Sequence, residues 1–145
     1  MIMATASYLL LSIITAGHNP AYAITGDGTQ ANPYDIGTGD LVIKGDQIQP
    51  DGKDRQIYVK GTTNNNRIIF GTAKHAGLHL TGVKMDFKTG RNGKDIREEP
   101  CIGIADDSVV TIYIDSNTTN VLYGGNDHGA GRNNGQPAIQ VDEKR

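Results

Sequence analysis

The chain has 145 residues, room for one domain and a modest core. Fourteen Lys and Arg against sixteen Asp and Glu leave a net charge of −2, so no basic field is present to hold nucleic acid. Cys101 is the only cysteine, which excludes a disulfide framework within the chain, and Trp is absent.

Residues 4–16 form an uncharged, mostly apolar run containing Tyr8-Leu9-Leu10-Leu11 and Ile13-Ile14, and Ala21-Tyr22-Ala23 ends the stretch in a small-x-small pattern. This reads as a secretory signal peptide over residues 1–23, cleaved after Ala23, although Met1-Ile2-Met3 lacks the usual positive charge. A buried N-terminal strand or helix is the alternative. The run is shorter than the roughly 20 apolar residues a bilayer requires, and no later segment could span one. The expected mature domain is 24–145, and its expected location is secreted, extracellular or at the cell surface.

Residues 24–40 are rich in turn formers, including Gly26, Asp27, Gly28 and Asn32-Pro33. Leu41-Val42-Ile43 and Ile57-Tyr58-Val59 are short β-rich runs on either side of Pro50-Asp51-Gly52. Residues 24–59 therefore read as an irregular opening unit, with regular repeats over residues 60–145.

Apolar patches then recur in a fixed order. Ile68-Ile69-Phe70 is followed by Leu78-His79-Leu80 and by residues 83–87. Ile102-Gly103-Ile104 is followed by residues 110–114 and by Asn120-Val121-Leu122, and Ala138-Ile139-Gln140-Val141 begins a third set. The leading patch moves from 68 to 102 to 139, steps of 34 and 37 residues. A period within about 20–50 residues marks a stacked repeat. Leu78, Leu80, Val83, Met85 and Phe87 alternate with polar residues, with one change of phase at Thr81-Gly82. Period-two alternation means strands with one buried face, and the phase change means a bend. Val110, Ile112 and Ile114 repeat the pattern. No helical period survives three turns.

The expected fold is all-β: a single-stranded right-handed parallel β-helix, a three-sided solenoid that is short and truncated at its C-terminus. Ile68 would lie over Ile102 and Ile139, and Leu80 over Ile112 or Ile114, with Asn117 and Asn120 near a bend. An antiparallel sandwich is the competing fold, but Asn92-Gly93 and Asn134-Gly135 fall inside long loops rather than between matched strands. Residues 142–145, Asp-Glu-Lys-Arg, stop the last strand without a coil to cover it. Either further chain or edge-to-edge self-association would protect that edge.

Two long connections, residues 88–100 and 123–137, each follow a third patch and end in Pro. In a stacked coil they emerge from one edge, where insertions usually form the binding face. Arg91, Lys94 and Arg97 in the first, and Asn126, Asp127, His128, Arg132 and Asn133 in the second, are the candidate ligand-binding residues. Arg forks suit carboxylates, and Asn and Asp suit hydroxyl groups. Asp106, Asp107 and Asp127 are the candidate oxygen ligands for Ca²⁺. No catalytic set is visible: CxxC, HExxH, GxxxxGK[ST] and GxSxG are all missing, and Cys101 beside a strand-like patch reads as a core residue.

The runs Ile57-Tyr58-Val59-Lys60-Gly61-Thr62-Thr63, Asn66-Arg67-Ile68-Ile69-Phe70 and residues 78–85, with the patches at 101–104, 110–114, 120–122 and 138–141, resemble secreted bacterial right-handed β-helix proteins of the carbohydrate-binding, pectate lyase-like kind. The resemblance spans residues 34–141. It implies an extracellular protein whose partner is a polysaccharide, plant or microbial and in some cases acidic, with Ca²⁺. Three functions stay open: a noncatalytic polysaccharide-binding module, a polysaccharide lyase or hydrolase, and the stalk or a fragment of a cell-surface adhesin. For the lyase, Arg91, Arg97 and Arg132 are present, but no Asp cluster of fixed spacing accompanies them.

Overall fold

The computed structural model describes residues 23–87, 99–125 and 136–141. They carry nine strands and no helix: β1 (Tyr34–Asp35), β2 (Leu41–Asp46), β3 (Arg55–Thr63), β4 (Ile68–Lys74), β5 (Ala76–Asp86), β6 (Ile102–Ile104), β7 (Val110–Ile114), β8 (Val121–Tyr123) and β9 (Ile139–Val141). No helix among these residues is long and apolar enough to cross a membrane.

The strands form two sheets, one ordered β2-β4-β6-β9 and the other β1-β3-β5-β7 with β8 also on β5. Every strand pairing is parallel. From β2 to β7 the chain alternates between the sheets, and each return places a strand beside the previous one in that sheet. The leading patches fall in register: Leu41 beside Ile68, Ile68 beside Ile102, Ile102 beside Ile139. In the other sheet Val59 pairs with Leu80 and Leu80 with Ile114, while Leu78 meets Ile112.

Two features differ from the sequence pattern. The three strands expected per repeat fall into two sheets, because residues 76–86 are one strand that bends. β7 pairs with its first half and β8 with its second. The bend lies at Gly82, with a φ of 81°, beside Gly61 at 103° in the strand below. Those values are left-handed and suit a residue without Cβ. One level up, the place is taken by Asn117 at φ 64°, and Asn120 ties the levels together. Its Oδ1 accepts from the Gly82 and Val83 amides at 3.0 and 2.7 Å, and its Nδ2 donates to the Leu80 carbonyl at 3.0 Å. The second difference lies at the beginning. Leu41-Val42-Ile43 is laddered directly onto Ile68-Ile69-Phe70, and β3 crosses the 59/60 boundary drawn for the irregular opening unit.

The inward rows form the core. Ile57, Val59, Ile68, Phe70, Leu78, Leu80, Met85 and Ile102 have no exposed surface. Such side chains each contribute about 1.5–3 kcal/mol by burial. The last level is uncovered: Ile114 is 63% exposed and Val141 61%, though their register partners Leu80 and Ile104 are buried.

Candidate binding face at the loop-bearing corner

The chain passes from the bent sheet into the other sheet at one corner, through a short connection at one level and long ones at the next two. Between β3 and β4 it is residues 64–67. Between β5 and β6 it is residues 87–101, and between β8 and β9 residues 124–138. Arg67 joins three levels there. Its amide donates to Asp40 Oδ1 at 2.8 Å, its Nε to the Pro100 carbonyl at 2.9 Å, and its Nη1 lies 3.2 Å from Glu99 Oε1. The guanidinium lies over Gly103, where a Cβ would stand 3.0 Å from Nη2.

The ends of the two long loops adjoin. The Gly125 amide donates to the Glu99 carbonyl at 3.4 Å, and the Gln136 amide donates to the Gly125 carbonyl at 2.6 Å. Gly124 packs so closely on the Gln136 and Pro137 carbonyls that no side chain fits there. Below them Cys101 is fully buried. Its Sγ lies 3.2 Å from the Tyr123 carbonyl, and burial pushes its thiol up to about 11. A thiol so placed is a core group rather than a nucleophile.

A groove of about 360 Å³ opens on the outer face beside this corner, lined by Thr62, Thr63, Asn64, Lys84 and Asp86. Thr62 pairs with Lys84, and Asp86 with Tyr123, so hydroxyl, carboxamide, ammonium and carboxylate groups stand near a phenol ring. Lys84 is exposed. Asp86 precedes the first loop by one residue, Phe87, and Tyr123 is the last residue of β8, before the second. Lys84 and Asp86 were visible in the sequence only as the polar members of an alternation. Their place at the loop corner depends on the pairing of β3, β5 and β8.

The candidate residues Arg91, Lys94 and Arg97, with Asn126, Asp127, His128, Arg132 and Asn133, lie outside the described residues. Asp106 and Asp107 belong to the other passage between the sheets. There the Ser108 amide donates to the Ala105 carbonyl at 3.2 Å, and Asp107 is left-handed at φ 63°. Asp107 thus takes a conformation that Asp tolerates and shapes the turn. Among the described residues no three His, Cys, Asp or Glu side chains gather as a metal site. A larger cleft of about 530 Å³ is lined by Asp27, Asp51, Lys53, Asp54 and Arg55; in it Lys53 Nζ lies 3.5 Å from Asp51 Oδ2, and Arg55 donates to Gln47.

Compared with family models, with curated proteins and with solved structures, the chain matches none.

Proposed function

We propose that the chain is a secreted, noncatalytic polysaccharide-binding module, wound as a right-handed parallel β-helix, that grips an extended glycan along the loop-bearing corner. One observation carries this reading. The ends of two long polar loops are hydrogen-bonded to each other beside a groove that offers an ammonium, a carboxylate, hydroxyls and a carboxamide. An extended, hydroxylated and partly acidic ligand uses all of these groups, and a ligand running across parallel strands meets them at the regular spacing of about 4.8 Å. The in-register rows Leu41-Ile68-Ile102-Ile139 and Val59-Leu80-Ile114 support the winding. The apolar run before Ala23 supports export.

The test is titration calorimetry with a galacturonate oligosaccharide and a β-1,4-glucose oligosaccharide. Binding of at least the acidic probe, weakened by Lys84→Ala, Arg97→Ala or Arg132→Ala, is expected. No binding of either probe would sink the proposal. Ultraviolet absorbance from unsaturated uronate, appearing on incubation, would replace binding with lyase chemistry.

A further inference from the structure

The turn between β7 and β8 is larger than the bend of β5 on which it stacks. Leu80 pairs with Ile114 and Lys84 with Val121, which sets Val83 level with Asn120. Between these positions β5 has two residues, Thr81 and Gly82, and the later chain has five, residues 115–119. The three extra residues have no place in the wall of paired strands, so the turn stands out sideways from it. Ser116, Asn117, Thr118 and Thr119 are all exposed.

Both ends of the turn are rooted. At its start Asp115 Oδ1 lies 3.0 Å from His79 Nδ1. That imidazole is the middle of a column of rings, stacked on Tyr58 at 4.2 Å and on Tyr113 at 4.5 Å. Its Nε2 lies 2.7 Å from Gln56 Oε1, which reaches it across Gly77, where a Cβ would stand 2.7 Å from that same oxygen. At the other end Asn120, tied to the strand below, also donates from Nδ2 to Thr118 Oγ1 at 3.1 Å. Thr118 Oγ1 in turn donates to the Asp115 carbonyl at 2.8 Å, so this side chain is engaged within the turn. On either side of it, the Asn117 carboxamide and the Thr119 hydroxyl make no hydrogen bond among the described residues. Asn117 has a φ of 64°, a left-handed value that asparagine tolerates in a turn.

Asn117-Thr118-Thr119 is an asparagine followed two places on by a hydroxyl residue, with no proline between, and the sequence contains this pattern once. The pattern is the acceptor for oligosaccharide transfer to exported chains, and it is used on surface loops. We propose that Asn117 carries an N-linked oligosaccharide, a reading that rests on the export of the chain and not on its binding face. Asn117 Nδ2 bonds to the anomeric carbon of an oligosaccharide delivered as a lipid pyrophosphate ester. The bond from that carbon to the pyrophosphate oxygen breaks, the lipid pyrophosphate leaves with the electron pair, and one Nδ2 proton passes to a base of the transferase. Thr119 supplies the hydroxyl that the transferase reads. The sideways turn presents both residues while its rooted ends keep the strands in place.

The test expresses the full chain, with its own N-terminal segment, in a eukaryotic secretory host and maps its peptides by mass spectrometry. Oligosaccharide on the peptide that holds residue 117 is expected, removed by peptide N-glycanase with conversion of the asparagine to aspartate. Asn117→Gln and Thr119→Ala abolish the modification, whereas Thr119→Ser keeps it. Thr118→Ala also keeps it, although it removes a bond within the turn. Thr119→Ala is the decisive variant, because its side chain holds nothing in the fold and an unchanged urea midpoint separates lost recognition from lost structure. Chain in the medium with Asn117 unmodified overturns the proposal and leaves export standing, as does modification that survives Thr119→Ala. Chain kept inside the cell and unmodified overturns export and the proposal together.

Discussion

Leu80 and Ile114 are register partners at neighbouring levels, yet truncating them should have very different effects. Leu80 has no exposed surface and lies between Val59 below and Ile114 above. Leu80→Ala removes buried methyl groups and leaves a cavity closed on every side, a change that costs about 2–5 kcal/mol. Ile114 is 63% exposed, so only about a third of the roughly 1.5–3 kcal/mol available from full burial is realised. Its truncation opens to solvent and leaves no enclosed void, so Ile114→Ala should cost under about 1 kcal/mol. With a urea slope of about 2 kcal/mol/M, the midpoint falls by about 1–2.5 M for Leu80→Ala and by under about 0.5 M for Ile114→Ala. Urea unfolding followed by far-ultraviolet circular dichroism measures both. Equal shifts would refute the reasoning, since they would mean that the last level is as enclosed as the one beneath it.

Asn120→Ala removes the acceptor of the Gly82 and Val83 amides and leaves the Leu80 carbonyl only the Asp115 amide at 3.4 Å, and should cost about 1–3 kcal/mol in the same assay, with Asn120→Asp intermediate because it keeps the acceptor. The Cys101 thiol, raised from 9.0 to about 11 mainly by desolvation, holds its proton more tightly folded than unfolded. Its contribution to stability is therefore complete below pH 9 and declines as pH rises from there to about 11, a loss that urea midpoints of Cys101→Ala should lack. Asp27, held below the usual 3.8 chiefly by the Thr29 amide and then by the Thr29 hydroxyl, contributes above pH 3.8 and loses that contribution as acid protonates it, so Asp27→Asn should flatten the acid limb of the stability profile. Gly77→Ala should displace the Gln56 amide and shift the His79 ring ¹⁵N resonances, and unchanged resonances would contradict the pinning of that ring.

Alternation and spacing made much of the fold legible. Leu78, Leu80, Val83 and Met85 are all buried, Thr81-Gly82 is the bend, and the 34- and 37-residue steps do bring Ile68, Ile102 and Ile139 side by side. The first level was missed because its step is shorter. From Leu41 to Ile68 is 27 residues, since only residues 64–67 turn the corner there, whereas long loops inflate the later steps. Period reports the connection as well as the coil, and register alone separates them. The ring column was hidden for the same reason. Tyr58, His79 and Tyr113 stand 21 and 34 residues apart, intervals that mean nothing until the strands are paired. Tyr113 alternates with Ile112 and Ile114, which marks it as outward in the sequence itself. Gln56 gave no signal, because its role depends on reaching across Gly77 into the next strand. At the corner, the charged loop residues stand out by composition, whereas Lys84 and Asp86 sit among strand residues.

The central claim is that strands about three dozen residues apart lie parallel and in register, and methyl-labelled isoleucine measures this most directly. Nuclear Overhauser spectra should connect Ile68 to Ile102 and Ile102 to Ile139, with no direct peak between Ile68 and Ile139, two strand spacings or about 9.6 Å apart. Missing neighbour peaks, or close Hα–Hα contacts of an antiparallel ladder between those strands, would contradict it.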